Sequence, residues 1–170
     1  MNLALTFAHE RYSDQALNES IAAILTENNL GAMASVRGAE AYINTAYFVY
    51  SDDLSLYFLS QRGDTHSGNV DSNPSVAVAV WAATPRWGED LRGLQLFGEC
   101  EMLSFGTELI KGMQLFARQF PAFSSLVKHP GEFAEGVTSR MYRIRVSALK
   151  LIDEPRFGRR NYIYARPIAR

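Results

Sequence analysis

The first regular pattern along the chain is a run of apolar residues with the spacing of a helix. After Asp14, the residues Leu17, Ile21 and Ile24 recur every three or four positions, which places them on one face of an α-helix. Asn29 follows as a residue type that commonly ends helices. The pattern therefore predicts a first helix with one buried face.

The next segments are rich in β-branched and aromatic residues and predict strands. Short turns marked by Gly38 and by Asp52-Asp53 join the first three strands, so we expect these three to pair antiparallel as hairpins. A longer polar interval separates the third strand from the fourth. The predicted strands cover residues 30–36, 41–50, 55–61, 75–82, 91–103 and 141–152.

A second helix is predicted from Leu109, Met113, Phe116 and Phe120, which are spaced four, three and four residues apart and precede Pro121. Six strands with helices between particular pairs do not match the regular alternation of a parallel α/β fold. We therefore predict a mainly β fold with helices, built as an antiparallel barrel, because closure of the sheet removes its exposed edges.

Length and composition favour a single domain over residues 1–170, with 47% hydrophobic and 21% charged residues. A net charge of -1 gives no field that would gather a polyanion, so we expect no nucleic-acid partner. No apolar run approaches the roughly 20 residues of a membrane span, and the first residues lack the pattern of an export signal. We therefore expect a cytoplasmic protein without a membrane partner.

Cysteine and histidine positions argue against a metal site. Cys100 is the single cysteine and cannot form an internal disulfide. His9, His66 and His129 are scattered and do not have the spacing of zinc ligands. The sequence therefore predicts no bound metal.

Familiar catalytic motifs are missing from the sequence. There is no Gly-x-Gly-x-x-Gly after a strand, no phosphate loop ending in Gly-Lys-Ser/Thr, no Gly-x-Ser-x-Gly and no His-Glu-x-x-His. Glu99 and Glu101 share one face of the long strand, which is more typical of a solvated edge than of an acid–base pair. The sequence therefore leaves the catalytic residues unidentified.

The polar interval over residues 59–74 is the most informative part of the chain. Gly63 and Gly68 permit tight turns that expose backbone N–H groups, and a short helical turn over 65–72 would point its first N–H groups the same way. Such an arrangement can hold a phosphate, although a plain polar loop capped by its own side chains explains the composition equally well. The side-chain donors of this interval are Ser60, Gln61, Arg62, Thr65 and His66.

Three short motifs follow one another in a distinctive order: Asn69-x-x-x-Asn73-Pro74, Gly93-x-Gln95-x-x-Gly98-Glu99, and Arg118-x-Phe-Pro. Together with the order of strands, they resemble the FMN-binding split-barrel family typified by pyridoxamine 5'-phosphate oxidase, over about residues 18–153. The tail, residues 157–166, is similar to the end of a small uncharacterised bacterial branch of that family. The resemblance implies a six-stranded split barrel, a homodimer with FMN in clefts between the barrels, and an FMN-dependent oxidoreductase acting on a small molecule.

The resemblance also implies which residues contact FMN. The phosphate would lie against the turn after the third strand, where Thr65 and His66 stand at positions that are commonly Arg-Lys in the family. Tyr47 and Phe48 would pack on the flavin ring, and Gln95 would reach its polar edge. The predicted cofactor-binding residues are Tyr47, Phe48, Ser60, Gln61, Arg62, Thr65, His66, Asn69, Gln95, Arg159 and Arg160.

The chain departs from the oxidase pattern at three positions, because Asn44, Val49 and His66 stand where the oxidase has cations. The loss of one charge-assisted contact to phosphate costs about 1.5 to 3 kcal/mol. A guanidinium elsewhere could supply the missing charge, although the tail pair could also be a solvated chain end. The candidate replacements are Arg62, Arg92, Arg159 and Arg160.

Two other functions remain open at this point. Related barrels use a deazaflavin, whose longer tail needs a larger basic groove. A non-catalytic protein that holds flavin or haem is the second alternative, and the weakened phosphate contacts favour it. Trp87 is expected to act either as a lid over the cofactor cleft or as an anchor on a partner subunit.

Overall fold

The computed structural model describes residues 3–82, 86–123 and 139–168. Strands dominate these residues, and helices lie between particular strands. The helices are α1, Asp14–Glu27; α2, Thr65–Ser72; α3, Thr107–Gln119; and α4, Glu154–Phe157. The strands are β1, Thr6–Phe7; β2, Leu30–Arg37; β3, Glu40–Tyr50; β4, Ser55–Gln61; β5, Ser75–Trp81; β6, Arg92–Met102; β7, Ser139–Asp153; β8, Tyr162–Ala165; and β9, Pro167–Ile168.

Six strands close into a barrel in the order β4-β3-β2-β5-β6-β7, and β7 returns to pair with β4. All neighbouring pairs in this ring are antiparallel. The closing register runs from Ser55 opposite Arg145 to Gln61 opposite Ser139. The predicted mainly β fold with helices, in the form of a six-stranded antiparallel split barrel, is therefore confirmed.

The hairpins form where the turn residues predicted them. Gly38 has a φ of 59° between β2 and β3, a conformation that glycine adopts without a steric penalty. The turn between β3 and β4 has its left-handed residue at Leu54, with a φ of 60°. Observed strand ends differ from the predicted ends by at most two residues, because apolar alternation defines a strand's middle better than its ends.

The barrel interior is filled by alternate side chains of each strand. Met33, Phe48, Leu56, Leu96 and Ile144 belong to one buried cluster, because successive residues of a strand face opposite sides. The apolar face of α1 joins the same cluster and contacts β5 and β6. The first predicted helix and its buried face are therefore confirmed.

Helix α3 packs on the outside of the barrel. Its buried residues Leu109 and Phe116 join Val49, Tyr57 and Met141 in a second apolar cluster. A Cβ atom at the helix position nearest the sheet, Gly112, would lie 2.3 Å from the sulfur of Met141, so glycine permits the close approach. The apolar stripe predicted for the second helix faces this cluster.

Gly98 marks an irregularity between β6 and β7, where the register shifts between Phe97 and Gly98. A Cβ atom at Gly98 would lie 2.0 Å from the backbone oxygen of Arg145, closer than non-bonded atoms approach. This contact gives the physical reason for the second glycine of the Gly-x-Gln-x-x-Gly-Glu motif.

The C-terminal tail continues the sheet. Strand β8 pairs antiparallel with the end of β7, and β9 pairs with β1 near the start of the chain. Asn161 donates from its amide to the backbone oxygen of Phe157 (2.9 Å) and fixes the turn between α4 and β8. The backbone around Arg159 and Arg160 is therefore held by neighbouring elements, while both side chains are exposed to solvent as the alternative of a solvated chain end expects.

The described residues contain neither a membrane-spanning helix nor a cluster of metal ligands. Within residues 3–82, 86–123 and 139–168, no helix is long and apolar enough to cross a bilayer. Over the same residues, no group of three His, Cys, Asp or Glu side chains is arranged to hold a metal ion. His129, one of the three histidines considered in the sequence, lies outside the described ranges.

Candidate functional site

The polar interval 59–74 forms a tight turn followed by the predicted short helix. Strand β4 ends at Gln61, whose backbone oxygen accepts from the backbone N–H of Asp64 (3.1 Å). Helix α2 then begins at Thr65, and Asp64 makes no side-chain hydrogen bond to it. The alternative in which Asp64 or Thr65 caps this helix therefore has no side-chain hydrogen bond from Asp64 behind it, and the N–H groups of Thr65 and His66 have no partner assigned among the described residues.

Three side chains form a hydrogen-bonded chain on the inner side of this turn, in which Ser60 and His66 are buried and Asp64 is half-buried. His66 Nε2 lies 2.5 Å from Ser60 Oγ, and Ser60 Oγ donates to a carboxylate oxygen of Asp64 (3.0 Å). Ser60 has one proton to donate, so the donor and acceptor in its contact with His66 follow from the tautomer of the imidazole. Burial holds the pKa of His66 below its ordinary value, and the opposing charge of Asp64 does not reverse this effect.

This geometry changes the interpretation of two predicted phosphate ligands. Ser60 and His66 are both 8% exposed, and their mutual hydrogen bond is inside the barrel. A surface phosphate would require both side chains to leave these positions. Their role as phosphate ligands therefore remains a prediction that this arrangement does not favour, since a protein partner already occupies the donor.

Asn69 and Ser67 anchor α2 to the barrel. The Asn69 amide donates to Ser35 Oγ (3.1 Å), and Ser67 Oγ donates to the backbone oxygen of Gln61 (2.9 Å). All three of these side chains are buried. The sequence analysis did not identify Ser35 or Ser67, although a serine at an inward position of the apolar segment 30–36 was a signal for Ser35.

Asn44 carries the least satisfied polar group near this site. Its amide nitrogen and oxygen are both buried, and neither has a hydrogen-bond partner among the described residues. Asn44 pairs with Met33 and shares a strand face with Tyr42, whose ring lies 6.5 Å from that of His66. An unpaired buried amide costs about 1 to 3 kcal/mol unless a ligand or an ordered water completes it.

The outer side of the turn presents donors to solvent. Gln61, Arg62 and Thr65 are exposed, and none of their side chains has a hydrogen bond or ion pair assigned among the described residues. They lie at the N-terminus of α2, where the helix dipole favours a negative charge. Of the predicted phosphate ligands, these three therefore have the geometry that a surface anion needs.

The predicted ring contacts lie on two sides of the barrel wall. Phe48 is buried in the interior cluster, whereas Tyr47 is 59% exposed and its ring packs edge-on against Phe120. Gln95 faces outward between its strand partners Ala79 and Lys150. A flavin on the outer surface can reach Tyr47 and Gln95, but it cannot stack on Phe48 without opening the core.

Apart from Arg62, the predicted cationic replacements lie far from the turn. Arg92 donates to Glu27 (2.8 Å) and lies 3.4 Å from Asp153, so its charge is already paired. The tail containing Arg159 and Arg160 precedes Tyr162, which pairs with Ile152 near the end of β7. Gln61 instead pairs with the first residue of β7, so roughly 40 Å of strand separates the two regions. One chain therefore does not bring Arg159 or Arg160 to the turn between β4 and α2.

Other reactive side chains have structural partners. Glu101 accepts from Arg143 (2.6 Å) and Arg145 (3.0 Å), so the predicted solvated edge is instead part of an ion-pair cluster. Burial raises the pKa of the Cys100 thiol to about 12, which leaves it protonated and unreactive at neutral pH. Neither residue is arranged as a catalytic group.

Comparison with known proteins agrees with this fold. Residues 17–151 match the family model described as pyridoxamine 5'-phosphate oxidase. This match covers 135 of 170 residues, well over half of the chain. No curated protein matches the sequence significantly.

Several solved structures share the fold at low sequence identity. A haem-binding protein from Mycobacterium smegmatis has a TM-score of 0.70 at 14% identity, over 93% of this chain and 60% of that one. The haem storage protein HutZ from Vibrio cholerae has a TM-score of 0.65 at 15% identity, over 80% and 94%. A putative pyridoxamine 5'-phosphate oxidase from Listeria innocua has a TM-score of 0.60 at 19% identity, over 79% and 97%. The chain thus spans 60% of the length of the mycobacterial protein, and these likenesses establish the fold.

Proposed function

Because the chain belongs to the pyridoxamine 5'-phosphate oxidase family, we propose that it binds FMN at the turn between β4 and α2 and acts as an oxidoreductase on a small molecule. The observation that carries this proposal is the start of α2, where the Arg62 and Thr65 side chains face solvent and the helix dipole favours an anion.

The donors at the turn fit a phosphate group. Arg62 supplies a guanidinium, Thr65 a hydroxyl, and the start of α2 supplies backbone N–H groups and a favourable dipole. The nearby carboxylate of Asp64 opposes an anion, but it already accepts hydrogen bonds from Ser60 and from the backbone N–H of Gln61 (3.3 Å). Bound FMN supplies the electron-transfer chemistry, and these residues bind and orient it.

The proposed solution form is a cytoplasmic homodimer. An outer alanine face, defined by Ala32, Ala34, Ala77 and Ala79, lies where β2 pairs with β5 and is only partly buried in one chain. Exposed apolar side chains at its edges include Phe97, which is 39% exposed. Flat apolar surfaces of this kind support association with a second copy, which would also supply the other wall of a cofactor cleft.

An FMN titration of the purified protein tests the proposal. We expect saturable binding that changes the flavin absorbance, and a particle mass near twice 19.0 kDa by light scattering. Arg62→Gln should weaken FMN binding about tenfold, because it removes one charge-assisted contact to phosphate. The matched control is Arg37→Gln on the β2–β3 hairpin, which should bind FMN as the wild type does. Equal affinities of the Arg62→Gln and wild-type proteins would contradict the phosphate site.

Haem is the second candidate ligand. Asn44 and Val49 leave the turn with fewer cations than the oxidase pattern, and two of the similar structures are named as haem proteins. Titration with hemin distinguishes the two candidates. A sharp Soret band on adding hemin, together with no binding of FMN, would identify haem rather than flavin as the ligand. A deazaflavin that binds more tightly than FMN would instead favour the deazaflavin-dependent reductase.

A further inference from the structure

A groove of about 750 Å³ lies at the far end of β7 from the β4–α2 turn. One wall is the loop before β6, with Trp87 and Leu91, and the other is the tail, with Arg160 and Tyr162. We name it the tail groove. No residue of the β4–α2 turn lines it. The tail groove is therefore separate, within one chain, from the proposed phosphate site.

Glu154 holds the two walls together. Its carboxylate accepts from the backbone N–H of Leu91 (2.8 Å) and from that of Arg160 (2.8 Å), and its own N–H donates to the Leu91 oxygen (3.0 Å). The hydrogen bonds from Arg160 and Leu91 lower the pKa of Glu154. The carboxylate is therefore charged and already occupied at neutral pH, and the groove is preformed.

The aromatic side chains of the tail groove are unusually accessible. Trp87 is fully exposed, and Tyr162 is 44% exposed with Lys150 Nζ 4.3 Å from its ring centroid. A tryptophan buries more apolar area than other side chains when it finds a partner, so full exposure leaves a large stacking surface unused. A planar ligand would cover this surface.

The polar groups of the tail groove that are not committed to the fold are arginine side chains and the exposed carboxylate of Glu89. Arg159 is held by Asp90 (3.2 Å), and Arg86 has only a long contact to Glu89 (3.8 Å). The guanidinium of Arg160 has no hydrogen bond or ion pair assigned among the described residues, and its backbone has a φ of 57°. Left-handed backbone at a residue other than glycine is costly, and such positions concentrate at binding sites.

We propose that the tail groove binds a planar, negatively charged small molecule, with its ring against Trp87 and Tyr162 and its acid group on Arg160. Stacking on an aromatic face and a guanidinium–carboxylate contact are the two interactions that this combination of side chains provides. The inference does not depend on the flavin proposal, because Arg160, although first considered for the phosphate of FMN, lies at the other end of β7 from the β4–α2 turn within one chain.

Isothermal titration calorimetry with naphthalene-2-carboxylate tests the inference, with 2-naphthalenemethanol as the neutral probe of similar shape. We expect the acid to bind about tenfold more tightly than the alcohol. Arg160→Gly removes the guanidinium while accepting the left-handed backbone, and it should erase that preference. Trp87→Ala should weaken both probes, and Arg37→Gln should leave both unchanged.

Three results would overturn the inference. The first is no binding of the acid at millimolar concentration, or equal binding of the acid and the alcohol by the wild type. The second is a loss of acid binding in Arg62→Gln equal to that in Arg160→Gly, which would assign the probe to the flavin site. The third is a change of particle mass in Trp87→Ala, which would make Trp87 part of an interface between copies.

Discussion

Helices α3 and α2 both pack against the barrel, but the polar groups beneath them are used differently. Under α3, the guanidinium of Arg143 bridges Glu101 (2.6 Å) and Glu108 (2.7 Å), and the hydroxyl of Tyr57 donates to Glu108 (2.7 Å). Under α2, the amide of Asn44 has no partner among the described residues. The polar groups named under α3 are paired with one another, whereas the Asn44 amide under α2 has hydrogen-bonding capacity that no described residue uses.

The difference separates a structural side of the barrel from the side that contains the candidate site. Hydrogen bonds from Tyr57 and Arg143 keep the pKa of Glu108 below its ordinary value, as expected for a carboxylate that stabilises the fold in its charged form. An unpaired buried amide instead reduces the stability of the folded protein, so its persistence is more simply explained by function than by folding. The α3 side is structural, and the α2 side is the candidate site.

The largest expected effect comes from breaking the α3 side. Arg143→Ala should lower the free energy of unfolding by about 2 kcal/mol, because it leaves Glu108 and Tyr57 without their central cation, and the partly exposed carboxylates limit the cost. For a chain of this size, the melting temperature should fall by about 4 to 8 °C. Thermal unfolding followed by circular dichroism measures the change.

The matched control is Arg145→Ala, because Arg145 contacts the same Glu101 from a side chain that is 54% exposed. This substitution should lower the free energy of unfolding by less than about 1 kcal/mol, as is usual for exposed ion pairs. If the two variants melt at the same temperature, the Arg143 cluster contributes no more than a surface ion pair, and the contrast with the α2 side is lost.

On the α2 side, we expect a substitution to raise the free energy of unfolding rather than lower it. Asn44→Leu should raise the free energy of unfolding by about 1 kcal/mol, because it replaces an unpaired buried amide by an apolar group of similar volume. Asn69→Leu is the matched control, since it removes an amide that donates to Ser35 (3.1 Å), and it should lower stability. Urea unfolding of the two variants without cofactor measures both changes. Destabilisation by Asn44→Leu as large as that by Asn69→Leu would show that the Asn44 amide has a partner.

The smallest expected effect is the pH dependence caused by His66. Burial depresses the pKa of the His66 imidazole in the folded protein below its ordinary value of 6.5. As the pH falls below 6.5, the unfolded chain therefore binds a proton on His66 before the folded protein does. The stability that His66 contributes is therefore present above pH 6.5 and is lost as the pH falls below it. Urea unfolding at pH 7.5 and 5.5 should show a smaller loss of stability for His66→Gln than for the wild type. An NMR titration of His66 with a midpoint above 6.5 would refute this assignment.

Several features of the candidate site were predictable from local sequence. Gly63, the turn and the helix over 65–72 follow from short-range backbone preferences, and the structure confirms that α2 begins at Thr65. The inward direction of His66 was not predictable, because the choice between the barrel interior and solvent depends on the partner that Ser60 offers across the turn. Phe48 and Tyr47 are adjacent in sequence, yet one fills the core and the other faces outward, as strand alternation requires.

Periodicity and turn residues by themselves determined α1, α2, α3 and the six strands of the barrel, because each depends on interactions between near neighbours and on the burial of one face. Only the tertiary structure decided which polar side chains find partners. It separated the turn near Asn44 from Arg160 by the length of β7 and brought Trp87 beside the tail. The physical reason is that a hydrogen bond or an ion pair depends on distances of a few ångströms between residues remote in sequence, and one chain's apolar pattern does not encode those distances.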